Sequence, residues 1–296
     1  MQEGNRVTGT LRALWGMARP TQLLLIFGVY GFGAVVAHAV HQTVDWTALR
    51  AGIPPLLLVA ASVHYANEYA DYETDALTDR TPFSGGSGAL HATGLPRRLA
   101  AQATVGAFVA AVLAVVLLYE RLSPTVVALL AVILVFGWQY SLPPLALAWN
   151  GWGELDNALL GGLVLPVYGY TVATGSVSAT AVAASLPFTV VVFLNLLDTT
   201  WPDRTADAAV GKYTLATRWD AGRLRQLYAG VAVVAVASPV ALGATVLPDP
   251  ISVTALVATP FLAWGTLWYT RRRSPLPTVA TMLVVLVVQI LAWLLV

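Results

Sequence analysis

Apolar and polar positions along this chain are grouped into long blocks rather than interleaved. Nine stretches of mostly apolar residues each reach the length of roughly 20 residues that a helix needs to cross a bilayer. They lie near residues 20–40, 50–70, 99–119, 123–141, 156–174, 178–198, 224–247, 251–270 and 276–296. The pattern predicts an all-α, polytopic membrane protein with nine transmembrane helices.

Most connections between these spans are short, as expected for a compact helix bundle. Two are long, residues 71–98 and 199–223, and both are rich in aspartate. We therefore expect residues 1–296 to form a single transmembrane domain with two Asp-rich loops on the same side.

The composition supports a membrane protein. Apolar residues make up 57% of the chain and charged residues 10%, against about 25% charged residues in an ordinary soluble domain. The mean hydropathy is +0.71, and the chain has no cysteine. These values exclude a soluble enzyme, a disordered protein and a nucleic-acid binder, as well as any thiol or disulfide chemistry.

The basic residues predict an orientation. If the N-terminus is cytoplasmic and nine spans follow, only Arg50 and Arg121 of the 16 basic residues lie on the outer side. Cytoplasmic loops of membrane proteins carry such an excess of Lys and Arg. We therefore expect a multi-pass protein of the cell membrane with both long loops cytoplasmic and the C-terminus outside.

Acidic residues cluster at the ends of two spans. Asn67, Asp71 and Asp75 follow one another at four-residue steps after the second span, and Asp203 and Asp207 repeat that step after the sixth. On a helix, residues four apart share one face. Each cluster therefore predicts a stripe of polar oxygen atoms at a helix end.

The two clusters are also in register with each other. An interval of 132 residues separates Asp71 from Asp203 and also carries Arg80 onto Lys212, the only lysine in the chain. The same interval relates the second span to the sixth. This suggests an internal duplication of a four-helix unit.

Neighbouring carboxylates repel each other, and near a bilayer such residues usually mark function. Oxygen ligands suit Mg²⁺, which typically takes one or two carboxylates together with substrate phosphates. We therefore predict an Mg²⁺-bridged diphosphate site. Its metal ligands would be Asp71, Asp75, Asp203 and Asp207, with Arg80 and Lys212 beside the phosphates. The alternative is that these are solvated charges at helix ends.

Other polar residues carry weaker expectations. Glu68 and Glu73 lie off the main stripe and are expected to be solvated. Asp198 is five residues before Asp203, on another side of a helix, and is not expected to ligate metal. The glycine-rich stretch Ser84–Gly88 either brings backbone N–H groups near an anion or is a flexible linker.

The two Asp motifs resemble those of the UbiA superfamily of intramembrane aromatic prenyltransferases. Further landmarks of that superfamily are Arg19-Pro20, Tyr140-Ser141-Leu142-Pro143-Pro144, Gly153-Glu154 and Gly211-Lys212-Tyr213-Thr214-Leu215. The resemblance implies nine helices around a central cavity, Mg²⁺ as cofactor and an isoprenyl diphosphate as donor.

The stretches Leu165–Val167 and Thr174–Ser178 are similar to the menaquinone-pathway branch, which prenylates 1,4-dihydroxy-2-naphthoate. The resemblance also implies roles for single residues. Tyr140 would stabilise an allylic cation through its π face. Substrate contacts would come from Asn67, Ser141, Arg80, Lys212 and Asn195. Relatives often carry an Asn at the position of Thr199, before the second Asp pair, and Asn195 lies one helical step earlier on the same stripe.

Other functions stay open at this level. Within the superfamily, the acceptor could be a non-aromatic lipid such as geranylgeranylglyceryl phosphate, or a carotenoid such as lycopene. A cation transporter is an alternative of a different class, because intramembrane carboxylates also mark ion pathways. Transporter sites usually lie near the midplane, whereas these acids lie at helix ends.

Overall fold

The computed structural model describes residues 2–81 and 83–296, and within them the chain is helical, with no β-strand beyond one isolated bridge between Thr81 and Ser84. The α-helices of this part are α1 (Gln2–Met17), α2 (Pro20–His41), α3 (Trp46–Ala70), α4 (Tyr72–Leu77), α5 (Ala89–Thr93), α6 (Arg98–Leu117), α7 (Pro124–Ser141), α8 (Gly153–Leu159), α9 (Leu165–Thr174), α10 (Ala179–Thr200), α11 (Arg204–Ala209), α12 (Leu215–Arg218), α13 (Ala221–Gly243), α14 (Val253–Trp268) and α15 (Leu276–Trp293).

Eight helical segments of the described residues are long and apolar enough to cross a membrane. They are α2, α3, α6, α7, α10, α13, α14 with the 3₁₀ turn before it, and α15. The predicted fifth span is helical too, but a π-helical turn at Leu160–Val164 separates α8 from α9. The all-α membrane fold is confirmed, and the count of nine spans stays a prediction.

The two helices that carry the acidic motifs begin with side-chain caps. Asp45 precedes α3, and its carboxylate accepts hydrogen bonds from the backbone N–H groups of Thr47 and Ala48 at 2.8 and 2.9 Å. Ser178 precedes α10, and its hydroxyl accepts from the N–H of Thr180 at 3.1 Å. Such caps satisfy N–H groups that have no partner within the helix, and they define where each helix starts.

Small residues bring α2 and α9 close together. A side chain on Gly33 would overlap the carbonyl of Pro166, and one on Gly169 would overlap the carbonyl of Tyr30. Helices in membranes pack closely at such small residues because the lipid supplies little hydrophobic force between them. Every residue of α9 from Leu165 to Ala173 is buried, so this helix lies in the core of the bundle.

Asp71 and Asp203 lie at the same end of the bundle, which we call the aspartate end. Helix α1 packs there against α5, with Gly16 against Ala89. Helix α15 begins there, where Thr278 contacts Asp198, and it runs about 27 Å at 1.5 Å per residue. The N-terminal helix and the C-terminus therefore lie at opposite ends of the bundle.

A cavity of about 890 Å³ lies in the middle of the bundle. Its walls come from α2, α3, α7, α8, α10 and α15 and from the loops at the aspartate end. Polar side chains of both acidic motifs line it at that end. Its remaining lining is mostly apolar and includes Leu25, Val29, Leu56, Phe188 and Val192.

Candidate active site

The two acidic motifs have the same local structure. Helix α3 ends at Ala70, Asp71 forms the junction, and Asp75 lies one turn further on in α4, where its N–H donates to the Asp71 carbonyl at 2.8 Å. Asp203 likewise precedes α11, and the N–H of Asp207 donates to its carbonyl at 2.9 Å. The predicted single helical stripe is thus broken at the first aspartate of each motif, although the four-residue hydrogen-bonding step continues.

Lys212 links the two motifs. Its ammonium group lies 3.2 Å from Asp71 Oδ1 and 3.6 Å from Asp207 Oδ1, and only 11% of its side chain is exposed. Burial alone would lower the pKa of Lys212, but the carboxylates of Asp71 and Asp207 raise it. The lysine is therefore held in its charged form, as the prediction for this residue requires. The ring of Trp149 lies 5.7 Å from the ammonium.

Asn67 orients Asp71. Its amide donates to Asp71 Oδ2 at 2.7 Å and to the Ser141 hydroxyl at 3.1 Å, while its own oxygen accepts from Arg19 at 2.7 Å. Arg19 lies between α1 and α2 with φ of 52°. This left-handed backbone is uncommon for a residue other than glycine. Asn67 therefore lines the cavity, and so does Arg19, which the motif spacing alone did not identify as a site residue. Ser141 is buried behind Asn67 and does not line the cavity.

The prediction that Glu68 is solvated is wrong. Glu68 is 3% exposed and accepts from Arg19 at 2.6 Å and from the N–H of Ser87 at 2.9 Å. Its helix face is covered by the turn before α2 and by the loop after α4, which sequence periodicity cannot show.

Glu73 is 80% exposed, as expected. Asp198 is buried against Thr278 and does not line the cavity.

The stretch Ser84–Gly88 crosses between the two motifs. The N–H of Gly85 donates to Asp203 Oδ2 at 3.1 Å, and the Ser87 hydroxyl donates to Glu68 Oε2 at 2.7 Å. Backbone N–H groups of this loop therefore do approach anions, here the carboxylates of the chain itself. The loop joins the ends of α3 and α10 rather than acting as a free linker.

Arg80 and Lys212 each lie nine residues after the first aspartate of their motif, but their environments differ. Arg80 is exposed, and its guanidinium lies so close to Gly88 that any side chain at that glycine would overlap it. Asp75 contacts Gly86 in the same way. Arg80 thus lines the mouth of the cavity along the glycine loop, whereas Lys212 is buried between carboxylates.

The four predicted metal ligands line one cavity but do not converge on one point. In the described part of the chain, no three Asp, Glu or His side chains lie close enough to hold a metal together. Asp71 and Asp207 flank Lys212, and Asp75 and Asp203 contact the glycine loop. Like charges repel, and the Lys212 ammonium and the Gly85 N–H offset part of that repulsion at Asp71, Asp207 and Asp203.

The donor set nevertheless fits a hard cation. Burial raises the pKa of Asp75 to about 7, with the Asp71 carboxylate adding to the effect, and raises that of Asp207 to about 6 against the influence of Lys212. Asp203 Oδ1 is buried with no hydrogen-bond partner among the described residues. Such a surplus of buried negative charge favours a bound cation, and one or two carboxylates per ion are what Mg²⁺ takes.

Tyr140 and Asn195, both predicted site residues, also line the cavity. The Tyr140 ring lies against Gly153, so close that a side chain there would crowd it. His64 lines the same cavity, and its Nδ1 donates to the carbonyl of Ala18 at 2.8 Å. Asp156, which the motifs did not single out, also lines the cavity; an acidic residue within a predicted span was the signal that could have found it.

Comparisons with known proteins agree with this architecture. The model of the UbiA prenyltransferase family matches residues 24–288, and no curated protein gives a sequence match. A solved UbiA homologue from Archaeoglobus fulgidus bound to GPP and Mg²⁺ is similar with a TM-score of 0.71 and 13% identity, over 96% of this chain and 98% of that one. A digeranylgeranylglyceryl phosphate synthase gives a TM-score of 0.69 and 12% identity over 97% and 99% of the two chains.

Proposed function

Because this chain belongs to the UbiA prenyltransferase family, we propose that it transfers an isoprenyl group from an isoprenyl diphosphate to 1,4-dihydroxy-2-naphthoate with the help of Mg²⁺. The family and the apolar helices make it a membrane-embedded prenyltransferase. The donor, the acceptor and the metal are the proposed parts.

One observation carries the proposal: the cavity is polar and ionic at one end and apolar at the other. Both acidic motifs and Lys212 line the aspartate end, and side chains such as Leu56 and Phe188 line the deeper part. An isoprenyl diphosphate has the same division into a charged head and a hydrocarbon tail. The site is therefore complementary to the donor along its length.

The aspartates would hold Mg²⁺ between the protein and the diphosphate. Asp71, Asp75, Asp203 and Asp207 supply only oxygen ligands, and Mg²⁺, when bound, would neutralise the charge that grows on the leaving diphosphate. Asn67 fixes one oxygen of Asp71 at 2.7 Å, which keeps that carboxylate aimed at the site.

Lys212 and Arg80 would stabilise the departing diphosphate directly. A fixed positive charge in a site with little water stabilises negative charge that develops in the transition state. Lys212 is positioned before the substrate arrives, because Asp71 and Asp207 already hold it. Arg80 lies at the exposed mouth, where the donor head would enter.

The chemical step is an electrophilic alkylation. The bond between the donor's C1 and its diphosphate oxygen breaks, the diphosphate leaves with the electron pair, and an electron-rich ring carbon of the acceptor forms the new C–C bond before the ring loses a proton. The apolar part of the cavity would exclude water, which otherwise captures the cation. Tyr140 would face that cation with its ring.

A glycerol-based lipid acceptor is the main alternative. The digeranylgeranylglyceryl phosphate synthase shares this fold over almost its whole length. The loop after Pro144 offers no basic residue between Leu145 and Asn150 to the carboxylate of the naphthoate or to the phosphate of the glycerol lipid. Lycopene is a further candidate within the superfamily.

We place the ninth membrane crossing at Gly153–Thr174, where α8, the π turn and α9 follow one another without a break in helical structure. Together with the eight uninterrupted candidate spans, this segment would bring the number of membrane crossings to nine, an odd number. An odd number agrees with termini at opposite ends of the bundle.

The purified protein in detergent with Mg²⁺, tested with prenyl diphosphates of several lengths and each acceptor class, decides the proposal by mass spectrometry. We expect a prenylated naphthoate product that depends on Mg²⁺. A product only with geranylgeranylglyceryl phosphate or only with lycopene would select that acceptor instead. No transfer to any acceptor, together with cation uptake into proteoliposomes, would favour the transporter.

A further inference from the structure

Two polar side chains lie deeper in the cavity than the acidic motifs. Helices α8 to α9 and α10 run antiparallel, and Gly162 packs directly against the backbone of Thr189. Asp156 is six residues before Gly162, and Asn195 is six residues after Thr189, so both lie at the same level. Both side chains belong to residues that line the cavity.

Each of the two side chains has one buried polar atom that lacks a partner in the part of the chain that the structure describes. Asp156 is 9% exposed and Asn195 is 8% exposed. Asp156 Oδ2 and Asn195 Nδ2 have no hydrogen-bond partner among the described residues. A buried polar group without a partner is destabilising, and the effect is larger when the group is charged. A bound molecule that reaches this level would remove that destabilisation.

The diphosphate head is not the molecule that these groups would bind. Asn195 is eight residues before Asp203, about 12 Å along a helix, and so lies well below the acidic motifs. A carboxylate or phosphate group would also be repelled by Asp156. The ligand at this level therefore has a neutral polar group.

We propose that Asp156 and Asn195 bind a hydroxyl group of the prenyl acceptor. The pair offers one unpartnered hydrogen-bond acceptor, Asp156 Oδ2, and one unpartnered donor, Asn195 Nδ2. A hydroxyl group donates one hydrogen bond and accepts another, so a single hydroxyl satisfies both. The inference rests on the proposed prenyl transfer and narrows its acceptor to a hydroxylated molecule, either aromatic or glycerol-based. A hydrocarbon such as lycopene would leave both groups unpaired.

The test compares acceptors with and without a free hydroxyl on wild type, Asp156→Leu and Asn195→Leu. The aromatic arm measures transfer to 1-naphthol and to 1-methoxynaphthalene. In the lipid arm the acceptor hydroxyl is itself the nucleophile and its methyl ether cannot react, so that arm measures the binding of geranylgeranylglyceryl phosphate and of its O-methyl ether. We expect wild type to prefer the hydroxyl form at least tenfold, in kcat/KM for the aromatic pair and in Kd for the lipid pair. Each leucine variant should lose that preference to below threefold while the donor KM changes less than twofold.

Matched variants separate recognition from packing. Asp156→Asn keeps an oxygen acceptor and should recover part of the preference, and Asn195→Asp removes the donor with little change of shape. Glu120→Gln, an exposed site at the other end of the bundle, should behave as wild type. If the leucine variants do not insert into the membrane, Asp156→Asn and Asn195→Asp are compared with wild type on the same acceptors.

Two results would overturn the inference. One is an equal loss for hydroxyl and methyl-ether acceptors together with a raised donor KM, which is the result expected of a purely structural pair. The other is efficient transfer to lycopene that Asp156→Leu does not reduce. If wild type transfers to no acceptor, the proposed function fails separately from this inference. The role of the pair is then decided by the Kd values of 1-naphthol and 1-methoxynaphthalene. Tighter binding of 1-naphthol to wild type, lost in Asp156→Leu, would support it, and equal binding would overturn it.

Discussion

At the scale of single residues, Lys212 is the side chain on which both acidic motifs depend. It contacts Asp71 and Asp207, which lie 136 residues apart in the chain. Without it, two buried carboxylates would face each other with no positive charge between them. Lys212 would then stabilise the two carboxylates before the donor binds and the diphosphate as it leaves.

Replacing Lys212 should impair use of the donor more than use of the acceptor. Lys212→Ala removes a charge-assisted contact of about 1.5–3 kcal/mol, so kcat/KM for the donor should fall roughly tenfold to a hundredfold. Arg80→Ala should act in the same direction but more weakly, because Arg80 is exposed. Steady-state kinetics with each substrate varied in turn measures the difference. Normal donor kinetics in both variants would remove these residues from the site.

Asp71→Asn and Asp203→Asn should each abolish turnover and leave the protein folded. Each change removes a charged oxygen ligand with little change of shape. Glu73→Gln is the matched control, because Glu73 lies in the same loop region and is 80% exposed. Product formation and thermal unfolding should be measured across an Mg²⁺ titration. Full activity of either Asn variant at ordinary Mg²⁺ would contradict the shared carboxylate site.

The raised pKa values of Asp75 and Asp207 predict a pH dependence of stability and of Mg²⁺ binding. A carboxyl group whose pKa is higher in the folded than in the unfolded protein stabilises the fold below its ordinary value of 3.8, and that stabilisation is lost as the pH rises through 6 to 7. Without Mg²⁺, Tm should therefore fall over this range.

Mg²⁺ should reverse that fall, because it binds the deprotonated carboxylates and its affinity increases with pH. Tm measured from pH 5 to pH 8 with and without Mg²⁺ tests both statements. Asp75→Asn should flatten the metal-free profile. A metal-free Tm that rises steadily over the range would show that these groups are not buried as described.

At the scale of elements, the π turn between α8 and α9 lies where this segment packs most closely on α10. Gly161 and Gly162 fall within it, and Gly162 lies against the backbone of Thr189. Turns of this kind are rare and often lie at functional sites. Here the turn lies next to α8, which carries Asp156 toward the cavity.

Gly162→Ala should destabilise the protein, because the added methyl overlaps Thr189 and the two helices must move apart. Overpacking of this kind costs about 1–3 kcal/mol. Gly106→Ala is the control, since Gly106 lies on exposed α6 with nothing within 4 Å of an added Cβ. That change should be neutral or stabilising by up to about 1 kcal/mol. Equal Tm values for the two variants in detergent would contradict the close packing.

At the scale of the whole molecule, the positions of the termini test the number of crossings. The N-terminal helix lies at the aspartate end and α15 ends at the opposite end, so reporters on the two termini should respond on opposite sides of the membrane. Because all but two basic residues then fall on the cytoplasmic side, the reporter after Val296 should be outside. A cytoplasmic C-terminal reporter would contradict both the nine spans and the orientation.

Much of this molecule follows from patterns that are local in the chain. Hydropathy places the spans, because crossing a bilayer depends on about 20 consecutive residues. The four-residue steps of Asn67, Asp71 and Asp75 depend only on helical geometry, and the backbone hydrogen bonds between these residues continue across the helix break at Asp71. The resemblance to the family was likewise visible in short motifs.

Other features depend on which elements pack together, and the sequence alone did not determine them. Glu68 was expected in solvent, but Arg19, 49 residues away, binds it. Arg80 and Lys212 occupy matching positions in the two motifs, yet only Lys212 is enclosed. Trp149 and the carboxylates of Asp71 and Asp207 pack around Lys212, whereas Arg80 is exposed and lies along the glycine loop. The π turn interrupts a segment that hydropathy reads as one span.

Composition and spacing within a few helical turns were sufficient to predict the membrane class, the helical fold and the residue types of the candidate site. The partners of these residues follow from the tertiary packing: Asp71 and Asp207 face Lys212, the Gly85 N–H donates to Asp203, and Asp156 and Asn195 line the same cavity. The physical reason is that burial and hydrogen bonding belong to pairs of elements, and chain spacing carries no information on how two distant helices are aligned.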